Sequence, residues 1–183
     1  MLRLSVIIPV VRTLARMEET LVSVLEHKPD DCNVIVVLDE AYPDPYGLAG
    51  EVTFLQAGPE VSLSQAINMG IEAANTPLIH VLPAGSCVHA GWAESAMPHF
   101  QDSRIGAVIP VTLELQHPDR ILAAGMGYDS AGRLIYLQRG ISLRDTQLCH
   151  RTQVLPHFSG AIFRAASLHA LHGADESVGE RWV

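Results

Sequence analysis

Apolar β-branched runs of strand length alternate with amphipathic stripes of helix length through the first 111 residues. That alternation restricts the chain to a layered α/β architecture with a mostly parallel sheet. Residues 4–9 are almost wholly apolar, as in a strand buried on both faces. Leu14, Met17, Leu21, Val24 and Leu25 then recur at helical spacing, with Glu18, Glu19 and Glu26 elsewhere, until Pro29 stops the helix. Residues 33–38 and 52–56 read as the second and third strands. A helix capped by Ser62 follows, with Leu63, Ala66, Ile67, Gly70, Ile71 and Ala74 on one face. Within it Asn68 and Gly70 read as packing positions, Gly70 admitting a close strand. Residues 78–82 form a fourth strand, 91–97 a short helix closed by Pro98, and 105–111 a fifth strand, with right-handed crossovers.

The later part reads differently. Tyr128-Asp129-Ser130-Ala131-Gly132-Arg133 predicts a turn between two antiparallel stretches, residues 158–163 a strand, and 165–172 a helix ending at Gly173. The last residues, Glu180-Arg181-Trp182-Val183, bring neither turn nor cap, so the chain reads as cut short. At 183 residues and 48% apolar content, one domain is expected, able to bury about 70% of the surface of its unfolded chain. Its nucleotide-binding half would span about 1–111 and its acceptor-side half about 112–183.

Charge is unevenly distributed. Ten acids and no Lys or Arg lie between Pro29 and Ser103, whereas the rest of the chain carries all 12 cations, 11 of them Arg. Scattered arginines with few aromatics argue against nucleic-acid binding, which needs a basic stripe. The apolar N-terminal run is too short to span a bilayer and lacks the features of a signal peptide. Cys32, Cys87 and Cys149 form no C-x-x-C pair and predict reduced thiols, hence a cytoplasmic protein, free or peripheral to a membrane. Other chemistries find no support. Ser159 lacks the preceding glycine of a nucleophile elbow and reads as a strand residue. Gly125-Met126-Gly127 and Gly132 lack dinucleotide spacing, and His80, Cys87 and His89 match no familiar metal spacing.

Ligands of open α/β sheets bind outside the carboxyl ends of the strands, here Pro9 to Arg12, Asp39 to Ala41 and Pro83 to Ser86. Asp39, directly after an apolar run, can accept hydrogen bonds from a base or ribose, or can simply open a polar turn. In order along the chain, Leu4-Ser5-Val6-Ile7-Ile8-Pro9-Val10, Glu18-Glu19-Thr20-Leu21-Val22-Ser23-Val24-Leu25, Val36-Val37-Leu38-Asp39 and Ala66-Ile67-Asn68-Met69-Gly70-Ile71-Glu72-Ala73-Ala74 resemble the family 2 glycosyltransferases of GT-A fold. Ile121-Leu122-Ala123-Ala124-Gly125, Phe158-Ser159-Gly160-Ala161 and Gly173-Ala174-Asp175-Glu176 extend the likeness over nearly the whole chain. The resemblance implies inverting transfer of a sugar from a UDP, GDP or dTDP sugar to a hydroxyl of unknown acceptor. It places Pro9 and Val11 against the base, Asp39 on the nucleoside, and Ala84 and Gly85 near the diphosphate.

Two departures accompany the resemblance. The family's Asp-x-Asp, which holds Mg²⁺ or Mn²⁺ on the diphosphate, falls on Pro83-Ala84-Gly85, where no side chain can ligate a hard cation. No metal cofactor is therefore predicted, and the acidic half of the chain brings no cation to this loop. The expected substitutes are Arg133, Arg139, Arg144 and Arg151, provided that they are not merely solvated surface residues. The family's acidic base would lie close to the chain's end, with Glu180 and Asp175 as candidates. Two readings stay open: a divergent metal-independent glycosyltransferase, or an inactive relative that serves as a binding or regulatory module.

Overall fold

The computed structural model describes residues 3–146 and 154–177. The chain order is β1 (Leu4–Val10), α1 (Leu14–His27), β2 (Cys32–Leu38), β3 (Val52–Gln56), α2 (Leu63–Ala73), β4 (Leu78–Val81) and α3 (Trp92–Ala96). A 3-10 turn (Met97–Gln101) leads to β5 (Ala107–Val108), β6 (Thr112–Glu114), β7 (His117–Ala123), β8 (Met126–Tyr128), β9 (Leu134–Tyr136), β10 (Ile162–Arg164) and α4 (Ala165–Ala170). The main sheet has the order β3-β2-β1-β4-β10-β5. Its first three ladders are parallel, and β10 runs antiparallel to both of its neighbours.

Every residue of β1 is buried, Ser5 included, as an almost wholly apolar run requires of a central strand. Strand alternation divides it between two cores. Leu4, Val6, Ile8 and Val10 pack with Met17, Leu21 and Val24 of α1 and with Ala93 and Ala96 of α3. Ile7 faces the other way, toward Ala66, Ile67 and Ile71 of α2 and Leu168 of α4. Gly70 shows how closely α2 lies on the sheet, because a Cβ there would collide with the Ile7 side chain. Ser62 caps α2 as its sequence predicts, in a reciprocal box: its Oγ accepts from Gln65 N (3.2 Å) and its own N–H donates to Gln65 Oε1 (2.9 Å).

Three expectations need correction. Pro98 does not close α3; it sits at the start of the following 3-10 turn, where a missing N–H costs nothing. Residues 105–111 do not form a long strand. Only Ala107–Val108 pair, antiparallel to β10, while Pro110 lacks a donor and the Arg164 guanidinium holds the carbonyls of Phe100, Asp102 and Ile105 in an irregular path. The strand expected over 158–163 begins at Ile162, and Ser159 lies in a turn before it. The predicted hairpin is present: β8 and β9 pair antiparallel around Asp129, whose Oδ1 accepts from Ala131 N and Arg133 N. No helix among the described residues is long and apolar enough to cross a membrane.

Candidate functional site

Strand order makes the site. From β1 the chain moves to β2 and β3 on one side, whereas β4 pairs on the other, so the gap beyond the ends of β1 and β4 is the switch point where open α/β sheets admit ligands. Pro9 keeps it open. The carbonyl of Ile7 accepts from Leu82 N (2.9 Å), and Pro9, two residues on, faces the same side beyond the last β1–β4 pair, Ile7 with Val81. A proline there removes no ladder hydrogen bond. The resulting cleft, about 290 Å³, is lined by Pro9, Val11, Arg12, Thr13, Leu63, Pro83 and Ala84.

Asp39 supports the cleft from β2. It is 7% exposed, and its Oδ2 accepts from the backbone N–H of Arg12, a residue held in the left-handed region at φ 55° where β1 turns into α1. Its Oδ1 is buried and has no hydrogen-bond partner. A buried carboxylate oxygen without a partner costs about 1–3 kcal/mol, and a ligand donor placed there would recover it.

The loop after β4 is fastened by hydroxyls of α1. Gly85 N donates to Thr20 Oγ1 (2.8 Å) and Val88 N to Ser23 Oγ (3.2 Å), with Thr20 and Ser23 both buried. Gly85 has φ +96°, a conformation that suits glycine, and a Cβ on it would lie 3.1 Å from Cδ of Arg16.

A family model described as Glycosyl transferase family 2 matches residues 5–169. The chain belongs to glycosyl transferase family 2. Two solved structures share the fold of this family 2 domain. Residues 1–349 of TarS from S. aureus superpose with a TM-score of 0.63 at 12% identity, over 98% of this chain and 52% of that one. The mannosyltransferase PcManGT from Pyrobaculum calidifontis, in complex with GDP-Man and Mn²⁺, superposes at 0.62 and 16% identity, over 99% and 50%. The chain thus spans about half the length of each. No curated protein sequence matches it. The chain has the GT-A architecture expected from its sequence.

At the cleft of this family 2 domain, the described residues do not fit a divalent metal. Pro83, Ala84, Gly85 and Ser86 carry no carboxylate to the cleft, and the described residues contain no group of three or more His, Cys, Asp or Glu able to hold an ion. His80 is not a ligand candidate either, since its ring is buried against Trp92.

Of the residues singled out from sequence, Pro9, Val11 and Ala84 meet in the cleft, with Asp39 one hydrogen bond behind it and Gly85 next to it. Arg133, Arg139 and Arg144 do not join them. The guanidinium of Arg133 pairs with Asp129 (2.9 Å) at the hairpin, Arg139 lies over the Tyr136 ring (5.8 Å to its centroid), and Arg144 is exposed with its N–H on Ser142 Oγ. Arg151, Cys149 and Glu180 lie outside the described residues. Asp175 is exposed, and its carboxyl is held below the usual range by hydrogen bonds from the Ser177 hydroxyl and backbone. That makes it a weak base.

Sequence reasoning placed Arg12 at the ligand edge without giving it a role, and missed Thr13, Leu63, Arg16, Thr20 and Ser23. The available signal was two hydroxyls, Thr20 and Ser23, adjoining the apolar stripe of α1. It also undervalued Asn68. Its side chain reads the backbone of Ala174 in both directions, Oδ1 accepting from N (2.7 Å) and Nδ2 donating to O (2.9 Å), and also donates to Glu176 Oε1 (2.8 Å). Asn68→Ala is expected to release residues 173–176 from α2 and destabilise the domain by about 2 kcal/mol, measurable as a lower urea midpoint and faster amide exchange at Ala174.

Proposed function

We propose that this glycosyltransferase moves a sugar from a nucleotide-diphosphate sugar to an acceptor hydroxyl, with inversion and without a divalent metal. The observation that carries this reading is the unpartnered buried Oδ1 of Asp39 beside an apolar cleft at the sheet's switch point. Pro9 and Val11 line the base, Asp39 accepts from the nucleoside, and Ala84 and Gly85 let the backbone approach the diphosphate. In the reaction the acceptor oxygen forms a bond to the anomeric carbon from the face opposite the diphosphate. The carbon–oxygen bond to the diphosphate breaks and that group keeps the electron pair. The hydroxyl proton passes to an acidic side chain, with Glu180 and Asp175 as candidates. Residues 1–111 make the nucleotide half and 112–183 the acceptor half. The GDP-Man in the PcManGT complex supports a sugar nucleotide as donor class, with the base left as uracil, guanine or thymine. Free thiols at Cys32 and Cys87 favour a cytoplasmic setting, in solution or at the membrane surface.

A second reading, an inactive relative that retains a nucleoside pocket as a binding or regulatory module, is favoured by the absence of any carboxylate at residues 83–86. Calorimetric titration with UDP, GDP and dTDP, in EDTA and again in Mn²⁺, tests the proposal. One of them should bind with equal affinity in both, and the matching sugar nucleotides should turn over slowly. No binding of any nucleotide sinks both readings, and a Mn²⁺ requirement sinks the metal-free one. Binding without any turnover leaves the module.

A further inference from the structure

We propose that Arg16 of α1 supplies the positive charge that the metal supplies elsewhere in the family, binding the diphosphate of the donor directly through its guanidinium beside Gly85. This rests on the nucleotide-sugar reading above and names the residue that makes it metal-free.

The placement comes from two contacts that fix the loop after β4 against α1 and a third that orients one of the hydroxyls. Thr20 Oγ1 accepts from Gly85 N (2.8 Å), Ser23 Oγ accepts from Val88 N (3.2 Å), and Ser23 in turn donates to the carbonyl of Thr20 (2.8 Å). Arg16 is one turn N-terminal to Thr20, so it falls on the same side of the helix at the cleft end of the loop. Its Cδ lies 3.1 Å and its Nη1 3.6 Å from where a Cβ on Gly85 would be. Ala84, the next residue back, lines the cleft itself, as do Arg12 and Thr13 just before the helix.

The guanidinium is available to a ligand. Arg16 is exposed, and among the described residues its side chain has no hydrogen bond or ion pair. The acid two residues along α1, Glu18, is engaged instead by the hydroxyls of Tyr42 (3.2 Å) and Tyr46 (3.5 Å). The helix adds to the field, because its first turn carries no acidic residue and Thr13 makes no side-chain cap. Arg16 stands in that first turn, at the positive end of α1.

Position 85 explains why a metal and this arginine exclude one another. A carboxylate there would stand against Arg16 and pair with it, neutralising both. Glycine removes the carboxylate, tolerates φ +96° and leaves the charge for the ligand. A guanidinium fork then meets two phosphate oxygens at once and stabilises the diphosphate as it departs with its electron pair.

The test is calorimetry in EDTA with UDP, GDP and dTDP and with uridine, guanosine and thymidine, on wild type, Arg16→Gln, Arg16→Lys and Arg139→Gln, each checked by circular dichroism and thermal melting. Arg16→Gln should weaken the bound diphosphate about 20-fold and leave the matching nucleoside within about twofold. Arg16→Lys should recover part of the loss, and Arg139→Gln should change neither. A diphosphate that binds Arg16→Gln as tightly as wild type, or whose loss falls on Arg139→Gln, overturns the inference. A wild type that binds the nucleoside but gains nothing from the diphosphate overturns the inference and leaves the nucleoside pocket standing. A wild type that binds none of the six ligands removes the nucleotide-sugar reading and the inference with it.

Discussion

Asp39→Asn should lower affinity for the nucleoside diphosphate about 100-fold while leaving the unliganded protein as stable as wild type or slightly more so. The two effects have opposite signs because the two carboxylate oxygens do different jobs. Oδ2 accepts from Arg12 N and holds the turn out of β1, a role that the amide oxygen of Asn can keep. Oδ1 is buried with no partner, and an amide nitrogen there replaces an unsatisfied acceptor by a donor without the charge. A hydroxyl or ring N–H of the nucleoside that needs an acceptor would meet a donor instead. One charge-assisted hydrogen bond is lost and a donor is left facing a donor, which together amount to about 3 kcal/mol of binding. Calorimetry and denaturant melts on the same samples separate the outcomes. An unchanged affinity with a lowered midpoint would mean that Asp39 only shapes a turn, the alternative that its sequence context leaves open.

The four parallel strands and the helices α1 and α2 were legible because each is specified locally. Short β-branched apolar runs bounded by turn residues favour buried strands, and the stripe through Met17, Leu21 and Val24 packs into the core. Ser62 and Gln65, three residues apart, announce the start of α2. What was not legible depends on partners far along the chain. Residues 105–111 look like a strand, yet the Arg164 side chain takes up the carbonyls of Phe100, Asp102 and Ile105 and only two residues pair. The same holds for the site. Counting cations by segment left the loop after β4 without one, whereas the fold brings α1 to it through a hydrogen bond between residues 65 apart in sequence. The strand ends named from sequence are where the observed strand order puts its switch point, with Pro9, Val11 and Ala84 lining the cleft and Asp39 at the end of β2.

Acid should destabilise this domain more steeply than its carboxylates alone account for, and His80→Leu should remove the excess. His80 lies on β4 and is 3% exposed, with its ring centroid 4.7 Å from that of Trp92 in an edge-on contact. Neither ring nitrogen has a hydrogen-bond partner, and nor does Trp92 Nε1. Burial pushes the imidazole down from 6.5 to about 3, so the folded state keeps it neutral. The unfolded chain exposes the ring and takes up a proton below about pH 6.5. Between those two values the unfolded state binds more protons, and stability therefore falls as pH falls, by roughly 1.4 kcal/mol per pH unit. Urea melts at pH 7 and pH 4 should show wild type losing roughly 3 kcal/mol more than His80→Leu. The variant should also be more stable at pH 7, where an apolar side chain of similar size replaces two buried polar atoms without partners. Parallel pH profiles for the two proteins would show that His80 reaches water or a donor in the folded state. Because β4 runs directly into residues 83–88, the same melts repeated with bound nucleotide report whether ligand binding tightens the strand beneath the cleft. A nucleotide that stabilises wild type and His80→Leu equally would separate the buried ring from the binding chemistry.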